Sequence, residues 1–326
     1  MIHATPDTAC EILPVVRAGF LLDAQPQQHW LIESLWARSG VGILGGAPKC
    51  CKSWLGLDMA VSIASGSPCL GTFECLDPGG ALVYMAEDAL SIVKTRLSGL
   101  CRHRGLDLAT LPLDVITAPA LRLDLERDQA RLADAVRRLK PRLLLLDPFV
   151  RLHRIDENNA GDVSVLLGYL RALQREHDLA IIVTHHARKN GPVGTQAGQG
   201  LRGSGDLHAW GDSNLYLRRA RDSLLLTVEH RAAAAHEPIE IALVGGDDDT
   251  RLEVTPGASP ARSPGASLDA AVLAALTPTP LSRTALRDAV HVRNERLGPI
   301  LTRLAEAGQL VREGDLWARV PVPPLA

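Results

Sequence analysis

With 326 residues, 46% of them hydrophobic, the chain is long enough for about two domains and can bury a sizeable core. Its 35 basic and 37 acidic residues leave a formal net charge of −2, which excludes a global basic footprint of the nucleic-acid-binding kind. No run reaches the roughly 18 apolar residues of a membrane span, the N-terminus lacks a signal-peptide pattern, and none of the six cysteines has C-x-x-C or zinc spacing, which predicts a soluble cytoplasmic protein with reduced thiols.

Residues 1–40 read as a lead-in whose apolar pieces, Trp30-Leu31-Ile32 and Leu35-Trp36, cover one edge of a sheet. Next comes a short apolar strand, Val41 to Leu44, then a loop, then the amphipathic run Leu55 to Ala64. The loop and helix start, Gly46-Ala47-Pro48-Lys49-Cys50-Cys51-Lys52-Ser53-Trp54, follow the phosphate-loop template G-x-x-x-x-G-K-[ST], with Cys51 where the second glycine belongs. Backbone N–H groups at a helix N-terminus form an anion cradle, lysine reaches the β- and γ-phosphates, and the serine hydroxyl ligates Mg²⁺. Cysteine has a Cβ where glycine would let the backbone press against a phosphate, so the stretch argues binding more strongly than hydrolysis. Two of only five lysines, Lys49 and Lys52, lie in this loop.

After a turn-rich stretch from Gly66 to Gly80, the run Ala81 to Ala86 ends in Glu87-Asp88, the pattern of a central parallel strand with acids at its carboxyl end. Open α/β sheets bind ligands at that end. A helix over Ile92 to Arg102 leads to a strand at Leu113 to Ile116. Glu126 to Leu139 is an amphipathic helix with Leu132, Val136 and Leu139 as its stripe. Leu143 to Leu146, closed by Asp147, has the form of a Mg²⁺-supporting Walker B strand. The polar loop Arg151 to Asp162 and a helix over Val163 to Arg175 follow. Leu179 to Thr184 is another buried strand, ending in His185-His186, of which His185 is the stronger site candidate.

Residues 188–208 are glycine-rich and aperiodic, and a loop of that length in a compact domain is usually functional or disordered. Leu215 to Arg219, Ser223 to His230, Ile239 to Val244 and Arg251 to Val254 read as hairpin-type strands extending the sheet antiparallel. This makes residues 1–255 one α/β unit, with 256–267 a Pro/Gly/Ala/Ser linker. Residues 268–320 carry three helical patterns and a hairpin turning at Glu313-Gly314-Asp315, the winged-helix order, before a tail at 321–326. The third helix of that order would present Arg293, Arg296 and Arg303 to a duplex. Seven arginines against six acids in this unit leave DNA contact and protein contact equally open.

Taken together, residues ~30–255 resemble the RecA-like P-loop ATPases, and among them the RepA-type hexameric replicative helicases. The resemblance rests on Gly46…Lys52-Ser53-Trp54, Val83-Tyr84-Met85-Ala86-Glu87-Asp88, Leu145-Leu146-Asp147, Val183-Thr184-His185-His186-Ala187-Arg188-Lys189 and Leu201-Arg202-Gly203-Ser204. It implies ATP as substrate with Mg²⁺ on Ser53 and Asp147, Glu87 activating water, and His185 sensing the γ-phosphate. It also implies Arg202 completing the site of a neighbouring subunit, a ring-like homo-oligomer (a hexamer in that family), and single-stranded DNA as the partner. Asp88 competes with Glu87 for the role of base, and Arg202 has Asp206 nearby as an alternative ion-pair partner. Two rival readings use the same residues: a non-hydrolysing, nucleotide-dependent assembly switch, and a DNA-binding replication or regulatory accessory whose tail finds a site.

Overall fold

The computed structural model describes residues 15–20, 29–186, 206–220, 223–233, 237–246, 249–255, 272–273, 275–276, 280–290, 294–306 and 309–319. The predicted linker, the tail, most of the 188–208 loop with Arg202, and most of the first helical pattern after the linker lie outside these residues.

A small antiparallel pair, β1 (Trp30–Ile32) and β2 (Trp36–Ala37), precedes the central sheet. Leu31, Ile32, Leu35 and Trp36 are fully buried, so these two apolar pieces of the lead-in are part of the core. The elements that follow are β3 (Val41–Gly46), α1 (Lys52–Ser65), β4 (Ala81–Met85), α2 (Leu90–His103), β5 (Leu113–Val115) and α3 (Glu126–Leu139). Then come β6 (Leu143–Asp147), α4 (Ala160–His177), β7 (Ala180–His186) and a short helix α5 (Asp206–Trp210) that starts within the last three residues of the stretch expected to be loop. β8 (Ser213–Ala220), β9 (Ser223–His230), β10 (Ile239–Val244) and β11 (Arg251–Val254) complete the sheet.

Among the described residues nine strands form one sheet in the order β11-β10-β9-β8-β3-β7-β6-β4-β5. The segment from β8 to β5 is parallel throughout, and β9, β10 and β11 are antiparallel. The antiparallel extension was expected to begin at β8, yet β8 pairs parallel with β3 and only its hairpin partner β9 reverses the direction. Two cores explain the continuous apolar runs. Leu44, Val83, Leu143, Leu145 and Ile182 face one core with α1 and α2, whereas Ile43, Leu82, Leu144, Leu146 and Ile181 face the other with α3 and α4. Successive strand residues point to opposite faces, so a strand covered on both sides must be apolar at every position. Each fully buried Leu, Ile or Val contributes about 1.5–3 kcal/mol relative to exposure.

α4 buries the expected stripe, Leu166, Leu167, Leu170 and Leu173. α3 departs from expectation in its last turn: Leu139 is 42% exposed. The first turn carries a buried Asp128 instead, which accepts the Arg122 N–H at 3.0 Å and Arg131 at 3.1 Å. No helix of the described residues is long and apolar enough to cross a membrane.

C-terminal to these elements, β12 (Leu281–Ser282), α6 (Arg283–Ala289), α7 (Asn294–Glu306), β13 (Leu310–Glu313) and β14 (Leu316–Arg319) enclose a separate cluster that includes Leu286, Leu297, Leu301 and Leu310. Their antiparallel sheet has the order β12-β14-β13, and the two-residue strand β12 was not foreseen. The predicted hairpin turn is present, with Gly314 at φ 64°.

Gly42 marks the tightest approach in the sheet. A Cβ there would stand 1.7 Å from the carbonyl oxygen of Ser213, at the mouth of the β3–β8 ladder. Overpacking a core typically costs about 1–3 kcal/mol, and a backbone clash belongs at or beyond the top of that range. Gly42→Ala is therefore expected to lower the unfolding free energy by about 3 kcal/mol or more, read from denaturant midpoints. A near-neutral result would show that β8 can move away from β3.

Candidate functional site

Parallel register gathers the carboxyl ends of four strands at one edge of the sheet. Leu146 pairs with Val183 across β6 and β7, so Asp147 comes level with Thr184, while β3 and β7 run on two residues further to Gly46 and His186. Gly46 pairs with His186 across β3 and β7, and Met85 with Asp147 across β4 and β6. Beyond those ends lies a cleft of about 330 Å³, lined among others by Lys52, Ser53, Glu87, Asp88, Asp147 and His186.

Gly46 starts the loop at φ 156°, where a Cβ would meet the carbonyl oxygen of Leu217 at 2.5 Å. Ala47 is half-buried, Pro48 and Lys49 are exposed, and Cys50 is buried against the α1 core. Cys51 is the N-cap of α1, with φ 60° and ψ 23° and no side-chain cap. That is the left-handed conformation for which the template reserves glycine, and a residue with a Cβ holds it at a cost of roughly 1–2 kcal/mol. Burial raises the Cys51 thiol above its ordinary value, with the charge of Arg219 the largest opposing influence. The uncapped first turn of this 14-residue helix leaves N–H groups directed to the loop.

Lys52 is buried, and its Nζ donates to the carbonyls of Gly46 at 3.0 Å and Ala47 at 2.9 Å, with His186 Nδ1 at 3.4 Å. Burial lowers its pKa, and the Asp147 carboxylate is the largest influence in the other direction. Asp147 is buried, which pushes its carboxyl up from the ordinary aspartate value, while the Ser53 and Thr184 hydroxyls and the Lys52 ammonium pull it down. Thr184 Oγ1 donates to Asp147 Oδ1, and the buried Oδ2 has no hydrogen-bond partner. An unpartnered buried carboxylate oxygen beside a serine hydroxyl suits a hard cation with oxygen ligands, so Ser53 and Asp147 fit Mg²⁺.

Glu87 and Asp88 both line the cleft, because β4 ends at Met85 and alternation no longer sends them to opposite faces. Their partners separate them. Glu87 Oε1 accepts from Arg151 Nε at 2.7 Å, and Asp88 Oδ2 accepts from Arg96 NH1 at 2.5 Å. Arg96 also lies 5.4 Å over the Trp54 ring.

The two histidines are placed the other way round from the sequence expectation. His186 shares a face with Thr184 and reaches Lys52, whereas His185 is buried on the opposite face, its ring 6.0 Å from that of Phe149. Sequence reasoning also missed Thr184, Arg96, Arg151 and Arg219, whose NH2 donates to the Lys49 carbonyl at 3.1 Å. The alternation that links Thr184 to His186 was available in the sequence, but the last residue of the strand was not. Arg202 lies outside the described residues.

A glycine-started loop between a parallel strand and a helix, with an acid ending a neighbouring strand, defines a P-loop nucleotide-binding α/β protein. The family model for the AAA domain matches residues 5–192, more than half of the chain, and the chain belongs to that family. Among solved structures, the ATPase domain of G40P is similar with a TM-score of 0.52 at 13% identity, covering 67% of this chain and 86% of that one. A DnaB-like replicative helicase, described with its interactions with primase, is similar with a TM-score of 0.52 at 13% identity. That match covers 66% of this chain and 57% of the helicase. The fold is that of a RecA-like ATPase domain.

The conformation of Cys51 yields a direct test. At a left-handed position glycine is favoured over alanine by about 1 kcal/mol. Cys51→Gly should thus be more stable than Cys51→Ala by about that amount in denaturant unfolding, although glycine is the poorer residue at ordinary helical geometry. The opposite order would mean that the loop does not hold this residue at positive φ.

Proposed function

We propose that the chain is an ATP-hydrolysing RecA-like motor acting on nucleic acid, of the RepA-type replicative helicase kind, working in the cytoplasm as a ring-like homo-oligomer on single-stranded DNA. The observation that carries the reading is the meeting of Lys52, Asp147 and Glu87 in one cleft at the carboxyl ends of the parallel strands. In this reading the α1 N-terminus and Lys52 hold the β- and γ-phosphates, and Ser53 and Asp147 hold Mg²⁺, which would neutralise charge on the phosphate oxygens. Glu87 takes a proton from water aimed in line at the γ-phosphorus. His186, rather than His185, stands beside the lysine as the group that reports on the γ-phosphate. Arg202 is kept as the arginine given to a neighbouring subunit. Residues 1–255 form the motor unit, 256–267 the linker, and 268–320 a winged-helix unit, a reading supported by the β12-α6-α7-β13-β14 order. The printed titles of the structural neighbours, an ATPase domain and a replicative helicase, support the motor reading by analogy of fold alone.

A second reading, a non-hydrolysing nucleotide-dependent assembly switch, is favoured by Cys51 in the left-handed cap. Turnover separates the two. ATP hydrolysis is expected and should rise with single-stranded DNA. Glu87→Gln should keep nucleotide binding and lose about 10²–10⁴ in rate, Lys52→Ala should lose binding, and Asp147→Asn should weaken the Mg²⁺-dependent part. Tight binding with no turnover, with or without DNA, would select the switch.

Sharing of the site between subunits has its own experiment. Lys52→Ala and Arg202→Ala proteins, each inactive, should regain activity when mixed, since an arginine supplied in trans is worth about 10³–10⁵ in rate. An inactive mixture of demonstrably exchanging subunits would place the whole site within one chain.

A further inference from the structure

The phosphate loop holds two residues with a Cβ in the left-handed region, Lys49 at φ 62° and Cys51 at φ 60°. A Cβ disfavours that region by roughly five- to thirtyfold per residue, and such a conformation persists only where the surroundings hold it. β8 supplies a hold. It pairs parallel with β3 as far as Gly46 and Leu217, then continues to Ala220, past the point where β3 gives way to the loop. Arg219 lies on this overhang, on the same face as Leu217, and its backbone is fixed by pairing with Leu224 on β9. Its NH2 donates to the Lys49 carbonyl at 3.1 Å. Burial raises the Cys51 thiol, and this guanidinium is the largest opposing influence, so it stands close to both left-handed residues.

Resting on the reading of residues 46–53 as the phosphate cradle, we infer that Arg219 is a positioning residue for that loop. Its bond to the Lys49 carbonyl holds Lys49 left-handed and keeps the backbone donors in the conformation that takes an anion. The Lys49–Cys50 peptide is trans, so its carbonyl and N–H point to opposite sides. Turning the carbonyl to Arg219 therefore leaves the Cys50 N–H on the other side, and Cys50 lines the cleft. The exposed Lys49 side chain takes no part in this hold. Affinity scales with the fraction of molecules whose loop is already in the competent form, and Arg219 raises that fraction from outside the loop.

Nucleotide affinity of the full chain, followed with a fluorescent ATP analogue, provides the test. Arg219→Ala should weaken binding by about two- to tenfold, and Arg219→Lys, which keeps a donor, should weaken it less. Lys49→Gly and Lys49→Ala both remove the ammonium, but only glycine enters the left-handed region freely. In the Lys49→Ala background, adding Arg219→Ala should again cost about two- to tenfold; in the Lys49→Gly background it should cost little. An equal loss in the two backgrounds would mean that the guanidinium acts by its charge on the phosphates, and an Arg219→Ala protein that binds like the parent would leave it no role. Either result overturns this inference while the phosphate-loop reading stands. A parent that binds no nucleotide, or a Lys52→Ala protein that binds as tightly as the parent, sinks both.

Discussion

The parallel register that gathers the carboxyl ends of β3, β7, β6 and β4 at one edge of the sheet is the constraint on which the rest of the structure depends. Parallel pairing fixes Gly46 beside His186 and Met85 beside Asp147, so groups far apart in sequence meet without any long loop having to place them. A one-residue slip in such a ladder would exchange the faces of every side chain on the strand. With both faces buried, the sheet has no inexpensive way to accommodate that slip. The two apolar cores therefore specify the geometry of the polar cleft at their edge.

The wide antiparallel extension has a different origin. At the start of β8, Asn214 Oδ1 accepts the N–H of Ile43 at 3.0 Å, so a side chain serves where the backbone ladder with β3 has not yet begun. Asp212 adds a second bond of this kind to Val41 N–H at 3.1 Å and is itself held by Arg171 from α4. The start of β8 is thus seated on the parallel half by polar side chains, beside the backbone bond from Asp212 N–H to the Val41 carbonyl at 2.7 Å.

Much of this was legible in the amino-acid order. Apolar runs closed by polar residues marked β4, β6 and β7, the phosphate-loop spacing marked β3 and α1, and period-3.6 leucines marked α4. What stayed hidden were partnerships made across the fold. Arg96 and Arg151 look like ordinary surface arginines on a helix and in a loop, and only the tertiary structure sets one on Asp88 and the other on Glu87. The sequence favoured His185 for the site, whereas β7 runs through both histidines and alternation sets His186 rather than His185 on the face of Thr184, beside Lys52. The direction of β8 was hidden as well: its run reads the same whether its neighbour is parallel or antiparallel.

Lys52 gives the loop a property of its own. Its ammonium is already bonded to two carbonyls of the segment it is meant to serve, so an arriving anion must take the lysine away from the protein backbone. Affinity then reflects the difference between two well-bonded states, rather than the full attraction between opposite charges. Such an exchange favours an anion that satisfies the helix N–H groups and the lysine at once. A single small anion that reaches only one of them would leave the lysine's two carbonyl bonds unreplaced.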